Sequence, residues 1–153
     1  MTTPLIDAEA HCDAPCGVYD PASARVAAEA VQSMTKKMLG HACPDTSDAV
    51  AMAAYLNTMS RYALVKEEEA RKCKEEILIL WTDFFKPQHL EAHPDLHDVF
   101  WKAAKLCSAC KVEVSAAHAQ ELMDAVEEIH AMFWAVKGLS LIHISEPTRQ
   151  HWI

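Results

Sequence analysis

The chain has 153 residues, the length of one domain, and 51% hydrophobic with 24% charged residues is the composition of a globular protein, not a disordered one. Only 3 glycines and 7% aromatic residues argue against a strand-rich sandwich or barrel, and no apolar run approaches the roughly 18 residues of a membrane span. The net charge of −8, from 14 basic and 22 acidic residues, sets aside general binding to nucleic acid or to an anionic membrane, since both want a basic face.

Met1–Ala10 has neither the basic start nor the apolar run of a secretory signal. This predicts the cytoplasm, or an organelle if the N-terminus is incomplete. From Asp20-Pro21, an N-cap acceptor followed by proline, a first helix is predicted, with Ala27, Val31, Met34 and Met38 on one stripe and Gly40 as its stop. A second starts near Thr46–Asp48. It carries Met52, Leu56, Met59, Ala63, Ala70, Cys73, Ile77, Leu80 and Phe84, a stripe broken only by Lys66, where so long a helix either bends or divides. Lys66–Glu69 with Arg71–Glu76 reads as a solvated charged face. Lys86-Pro87 ends this helix, because proline disfavours helical geometry in the residue before it. Pro94-Asp95 opens a third helix with Leu96, Phe100, Ala103, Cys107 and Cys110 on one face, and Ser115 caps a fourth with Leu122, Val126, Ile129, Phe133 and Val136. Amphipathic segments joined by short connections predict an all-α protein, a four-helix bundle over residues 22–138. Leu139–Ile153 carries no stripe, resembles translated sequencing-adapter read-through, and is expected to lie outside the fold.

One stretch reads neither as core nor as linker: His11-Cys12-Asp13-Ala14-Pro15-Cys16-Gly17-Val18-Tyr19-Asp20-Pro21. Thiolates and imidazole are soft to borderline ligands that suit zinc, copper, nickel or iron. Pro15 and Gly17 bracket Cys16 and would bend the chain so that both sulfurs face one point. The residue types alone leave open a solvent-exposed Cys12–Cys16 disulfide or two idle thiols.

The whole string resembles the nickel hook of the nickel-containing superoxide dismutases, H-C-x-x-P-C-G-x-Y-x-P. Each fixed position is met, by His11, Cys12, Pro15, Cys16, Gly17, Tyr19 and Pro21. Trp81-Thr82-Asp83-Phe84-Phe85-Lys86-Pro87 with His89 resembles the family's second recurring segment. The resemblance implies a helical bundle with an N-terminal metal-binding hook, in which protease removal of a leader, residues 1–10, makes His11 the N-terminus. It further implies one nickel ion per subunit, held by the His11 amine, the Cys12 backbone nitrogen and the Cys12 and Cys16 thiolates, with the His11 imidazole as axial ligand. Two nitrogens and two sulfurs form a set that planar Ni(II) favours. The implied reaction is dismutation by Ni(II)/Ni(III) cycling, one superoxide leaving as oxygen and a second, with protons, as hydrogen peroxide. In that reading Pro15 shapes the hook's turn as a cis-proline, Gly17 keeps its geometry, and Tyr19 guards the open face. A homo-hexamer is implied as well, the Trp81–Pro87 segment of one subunit supporting a neighbour's hook.

Some positions depart from the family pattern. Ala27 and Glu69 stand where a glutamate and an arginine position the axial imidazole, and Phe84 stands where a second tyrosine lies near the metal. An insertion around His41–Asn57 separates the aligned helices. The metal site is expected to persist with altered tuning around it.

Other candidates read as structure. Glu127-x-x-His130 lacks the second such motif that a di-iron bundle needs, so a surface or partly buried His130 is expected. Cys107-x-x-Cys110 falls on an apolar stripe and reads as core. His89, His93 and His97 are interrupted by Pro94 and read as solvated. The alternative function is a non-catalytic helical metal-binding protein, which would not require Tyr19 or Pro15.

Overall fold

A computed structural model describes residues 17–138. Four antiparallel helices form a square: α1 (Ala22–Gly40), α2 (Ala49–Ile79), α3 (Leu96–Val112) and α4 (Ala116–Val136). Packing runs around the ring, α1 on α2 and α4, and α3 on α2 and α4. The bundle is up-down-up-down, which short connections between consecutive helices favour.

The helix starts follow the local signals. The Asp20 carboxylate accepts from the Ala22 N–H at 2.8 Å, and Asp48 accepts from Val50 and Ala51 at the head of α2. Ser115 Oγ accepts from the His118 N–H at 3.2 Å. Each satisfies amide donors that the first helical turn leaves over. The stripes of α3 and α4 are buried as their spacing predicts, with Phe100, Leu122, Ile129 and Phe133 at the centre, except that Val136 at the end of α4 is half-buried. In α1 the buried line is Ala24, Ala27, Ala28, Val31 and Thr35, while Met34 and Met38 are half-buried. Thr35 enters the core because its hydroxyl donates back to the Val31 carbonyl, at 2.9 Å, and so needs no outside partner.

Lys66 corrects the reading of a solvated face. The helix does not divide there: α2 is continuous over 31 residues, and Lys66 is 3% exposed. Its ammonium donates to the carbonyls of Cys110, Lys111 (3.0 Å) and Glu113 (3.1 Å) at the end of α3. Burial draws its pKa down. Three carbonyl acceptors match the three ammonium hydrogens, so the charge is retained and closes the negative end of the α3 dipole.

The end of α2 is also unlike an ordinary stop. Leu80–Phe84 forms a π-helical turn, in which the Phe85 N–H reaches the Leu80 carbonyl at 3.0 Å. Phe85 is then extended, and Pro87–Leu90 makes a 3₁₀ turn. The wider turn lets successive rings both face the bundle: Phe84 meets Phe133 at 4.3 Å between centroids and Phe85 meets Phe100 at 5.3 Å.

The cysteines of the interior behave as the stripe implies. Cys73, Cys107 and Cys110 are free and buried. A hydrogen bond to Cys107, together with burial, raises the Cys73 thiol far above the usual range, and burial pushes Cys110 up to about 11. Cys73 and Cys110 therefore stay protonated, while the hydrogen bond with Cys73 draws the Cys107 pKa down; all three are buried among apolar side chains.

Candidate metal centre

The hook's ligand residues His11, Cys12 and Cys16, and Pro15 with them, lie outside the described residues. The structure describes the residues that follow them in the chain. Gly17 has φ +64°, a left-handed conformation that glycine adopts without strain, directly after Cys16. Tyr19 is half-buried and its ring lies 5.6 Å from that of Phe84. Pro21 is buried at the start of α1. The hook is therefore anchored on the bundle at its C-terminal edge by one reversing glycine, one ring and one buried proline.

Gly17 and Tyr19 open onto a depression of about 230 Å³ whose wall includes Phe84, Lys86, His89 and Lys137. Its parts come from separate elements: the hook's edge, the π-helical turn, the 3₁₀ turn and the end of α4. The Lys137 ammonium lies 5.4 Å from the Phe84 ring centre and 5.9 Å from that of Phe133. In a chain of net charge −8, Lys86 and Lys137 against Asp83 give this wall a local excess of positive charge. Lys86 and His89 stand in the recurring segment that begins at Trp81, whereas Lys137 belongs to no motif. Four residues before Lys137, Phe133 sits on a legible stripe, but nothing in the spacing says that the end of α4 meets the 3₁₀ turn.

Other expectations resolve here too. His130 is 8% exposed and its Nε2 accepts from the Trp134 indole N–H at 3.1 Å, a structural partner. The three spaced histidines do not share one helix: His89 lies in the 3₁₀ turn, His97 on α3 and His93 between them. His89 Nδ1 accepts from the Lys86 N–H at 3.1 Å and His97 Nδ1 from the Trp81 indole at 2.9 Å. Ala27 is fully buried in the core, and Glu69 lies within 3.9 Å of Lys72 on its own helix. Among the described residues, no group of three or more His, Cys, Asp or Glu side chains could hold a metal ion. The donor set that fits a soft or borderline ion is that of the hook, two thiols and a histidine in the residues just before Gly17.

Residues 6–137 match the family model of nickel-containing superoxide dismutase. The chain is 38% identical over 137 residues to the superoxide dismutase [Ni] of Streptomyces seoulensis, covering 90% of this chain and 95% of that protein. It is 37% identical over the same length to that of Streptomyces coelicolor. A crystal structure of Ni-containing superoxide dismutase with nickel ligation of the oxidized state superposes with TM-score 0.71 at 37% identity, over 84% of this chain and 100% of that one. A native nickel superoxide dismutase structure gives 0.68 at 37% identity, over 83% and 99%. The chain belongs to the nickel-containing superoxide dismutase family.

Proposed function

We propose that this chain's superoxide dismutase activity resides in the hook, with one nickel ion per subunit held by the His11 amine and imidazole, the Cys12 backbone nitrogen, and the Cys12 and Cys16 thiolates. The observation that carries this is the complete hook pattern, running without a gap into an anchored Gly17 and Tyr19 beside a basic depression. Nickel, when bound, supplies the one-electron couple that dismutation needs. The thiols give up their protons to bind it, which couples metal affinity to pH. Tyr19 narrows the approach to the hook, and Lys86 and Lys137 draw a small anion toward it. Pro15 holds the turn between the two cysteines.

A leader of residues 1–10 must be cut for this set to exist. While Ala10 is attached, the His11 nitrogen is an amide with no lone pair to give. Once freed, it is an α-amino group with a pKa near 8. The working form is a homo-hexamer in the cytoplasm, in which the Trp81–Pro87 segment of one subunit supports another's hook. A stretch of eleven residues ahead of α1 holds its geometry poorly without a second surface. No described helix is long and apolar enough to cross a membrane.

The test is cleavage. Intact chain with nickel should be inactive, and cutting between Ala10 and His11 should switch superoxide loss on. Cys12→Ser or Cys16→Ser should abolish nickel retention and activity. Intact protein, verified by mass spectrometry, that is as fast as the cleaved form would refute the ligand set. Sedimentation of loaded protein as a fully active monomer would remove the hexamer.

A further inference from the structure

We propose that His89 is the fixed hydrogen-bond donor that receives superoxide in the depression beside Tyr19, an assignment that rests on the reading above of where the metal sits. The ring is held from three directions. Its Nδ1 accepts from the Lys86 backbone N–H at 3.1 Å. One face lies over Phe84, at 6.2 Å and 27°, and Phe85 meets it edge-on at 5.9 Å and 87°. The backbone is closed as well, with the His89 N–H donating to the Lys86 carbonyl at 2.9 Å.

This arrangement decides the tautomer. A backbone N–H can only donate, so Nδ1 must present its lone pair, and the neutral ring carries its hydrogen on Nε2. That hydrogen belongs to a ring lining the depression. A ring in this state is a donor rather than an acid, since losing the Nε2 hydrogen would leave an imidazolate. Its role is to bind and orient an anion, not to deliver a proton.

The surroundings select the class of ligand. The titratable groups sharing the wall are Tyr19, Asp83, Lys86 and Lys137, two cations against one carboxylate. Val136 and Phe84 supply apolar surface that strengthens a charge-assisted hydrogen bond. The volume of about 230 Å³ admits a small monoanion together with water. His89 supplies direction, while the lysines supply charge.

The experiment uses leader-cleaved full chain without nickel, labelled with ¹⁵N at histidine, and azide as the probe at constant ionic strength held with chloride. The expected result is an Nε2–H tautomer at His89 and a saturable azide shift at its Nε2. His89→Phe keeps the ring contacts and removes the donor. The saturable shift, followed at the Lys86 backbone amide, should then vanish, and His89→Gln should restore it. In nickel-loaded protein, His89→Phe should lower kcat/KM about tenfold with its ionic-strength dependence unchanged, and His89→Gln should recover most of the loss. An Nδ1–H tautomer, azide binding equal in His89→Phe, or an undiminished rate in that variant would overturn the assignment. Tautomer and titration are read on the unaltered chain, so they decide the matter even if a variant misfolds. Saturable azide binding at His89 in a protein that shows no nickel-dependent activity would instead overturn the metal-site reading and keep the donor.

Discussion

The two ends of the bundle are built differently. At the end from which the hook segment leads off, rings meet in series: Tyr19 on Phe84, Phe84 on Phe133, Phe133 on Trp134, with Phe85 and Trp81 both on Phe100. At the other end α2 runs on past α3, whose last carbonyls are held by Lys66, and residues 49–65 of α2 include none that is buried. That stretch spans roughly 25 Å at helical rise. Its main cover is α1 and the connection after it, where the His41 ring stacks on Tyr55 at 5.1 Å and 7°. Leu56 and Leu64 remain 55% and 57% exposed. Amphipathic spacing is the same on both sides of Lys66. What differs is whether a third and fourth helix exist to pack against, and the ring packing is concentrated at the end that carries Gly17 and Tyr19.

Phe133→Ala should show the largest effect on this contrast. It empties the centre of the ring series and should cost about 4 kcal/mol, read as a fall in the urea midpoint at unchanged slope. It should also loosen Tyr19 through Phe84. A loss below 1 kcal/mol would mean the hook end is not the rigid one. Next comes Lys66→Met, which keeps the apolar stem and leaves three carbonyls of the α3 end without their donor. About 3 kcal/mol of stability should go. If calorimetry finds the variant as stable as the parent, α3 does not depend on that lysine and the boundary between the two ends is misplaced.

The pH dependence sharpens the comparison at the hook end. Burial holds the His130 imidazole below its usual range. The unfolded chain therefore takes up that proton near pH 6.5 while the folded chain resists it. Stability should fall as pH drops below about 6.5, levelling once the folded imidazole is also protonated. Urea melts at pH 7.5 and pH 5 should show a smaller acid loss in His130→Gln than in the parent. The smallest effect belongs to the far end: Leu56→Ser and Leu64→Ser, both on exposed α2 surface, should each change stability by less than about 0.5 kcal/mol. A loss of several kcal/mol from either would show that this surface is covered in solution.

Much of this was legible in the residues themselves. Caps, stripes and stops are local: Asp48 and Ser115 act within three residues of their own positions, and Phe100 or Ile129 follow from a period of 3.6. The hook is local as well, a contiguous string whose residue types already name soft-metal chemistry. The sequence therefore determined the helices, their order, the buried faces of α3 and α4, and the family. Tertiary structure decided the rest. Whether Lys66 is solvated depends on where α3 ends, 44 residues along the chain. Whether a stripe on α2 is buried depends on the lengths of α3 and α4. The depression joins Gly17 to Lys137 through a turn at residues 87–90 that no periodicity specifies. Periodicity reports which side of a helix is apolar, but only the packed neighbours determine what that side meets.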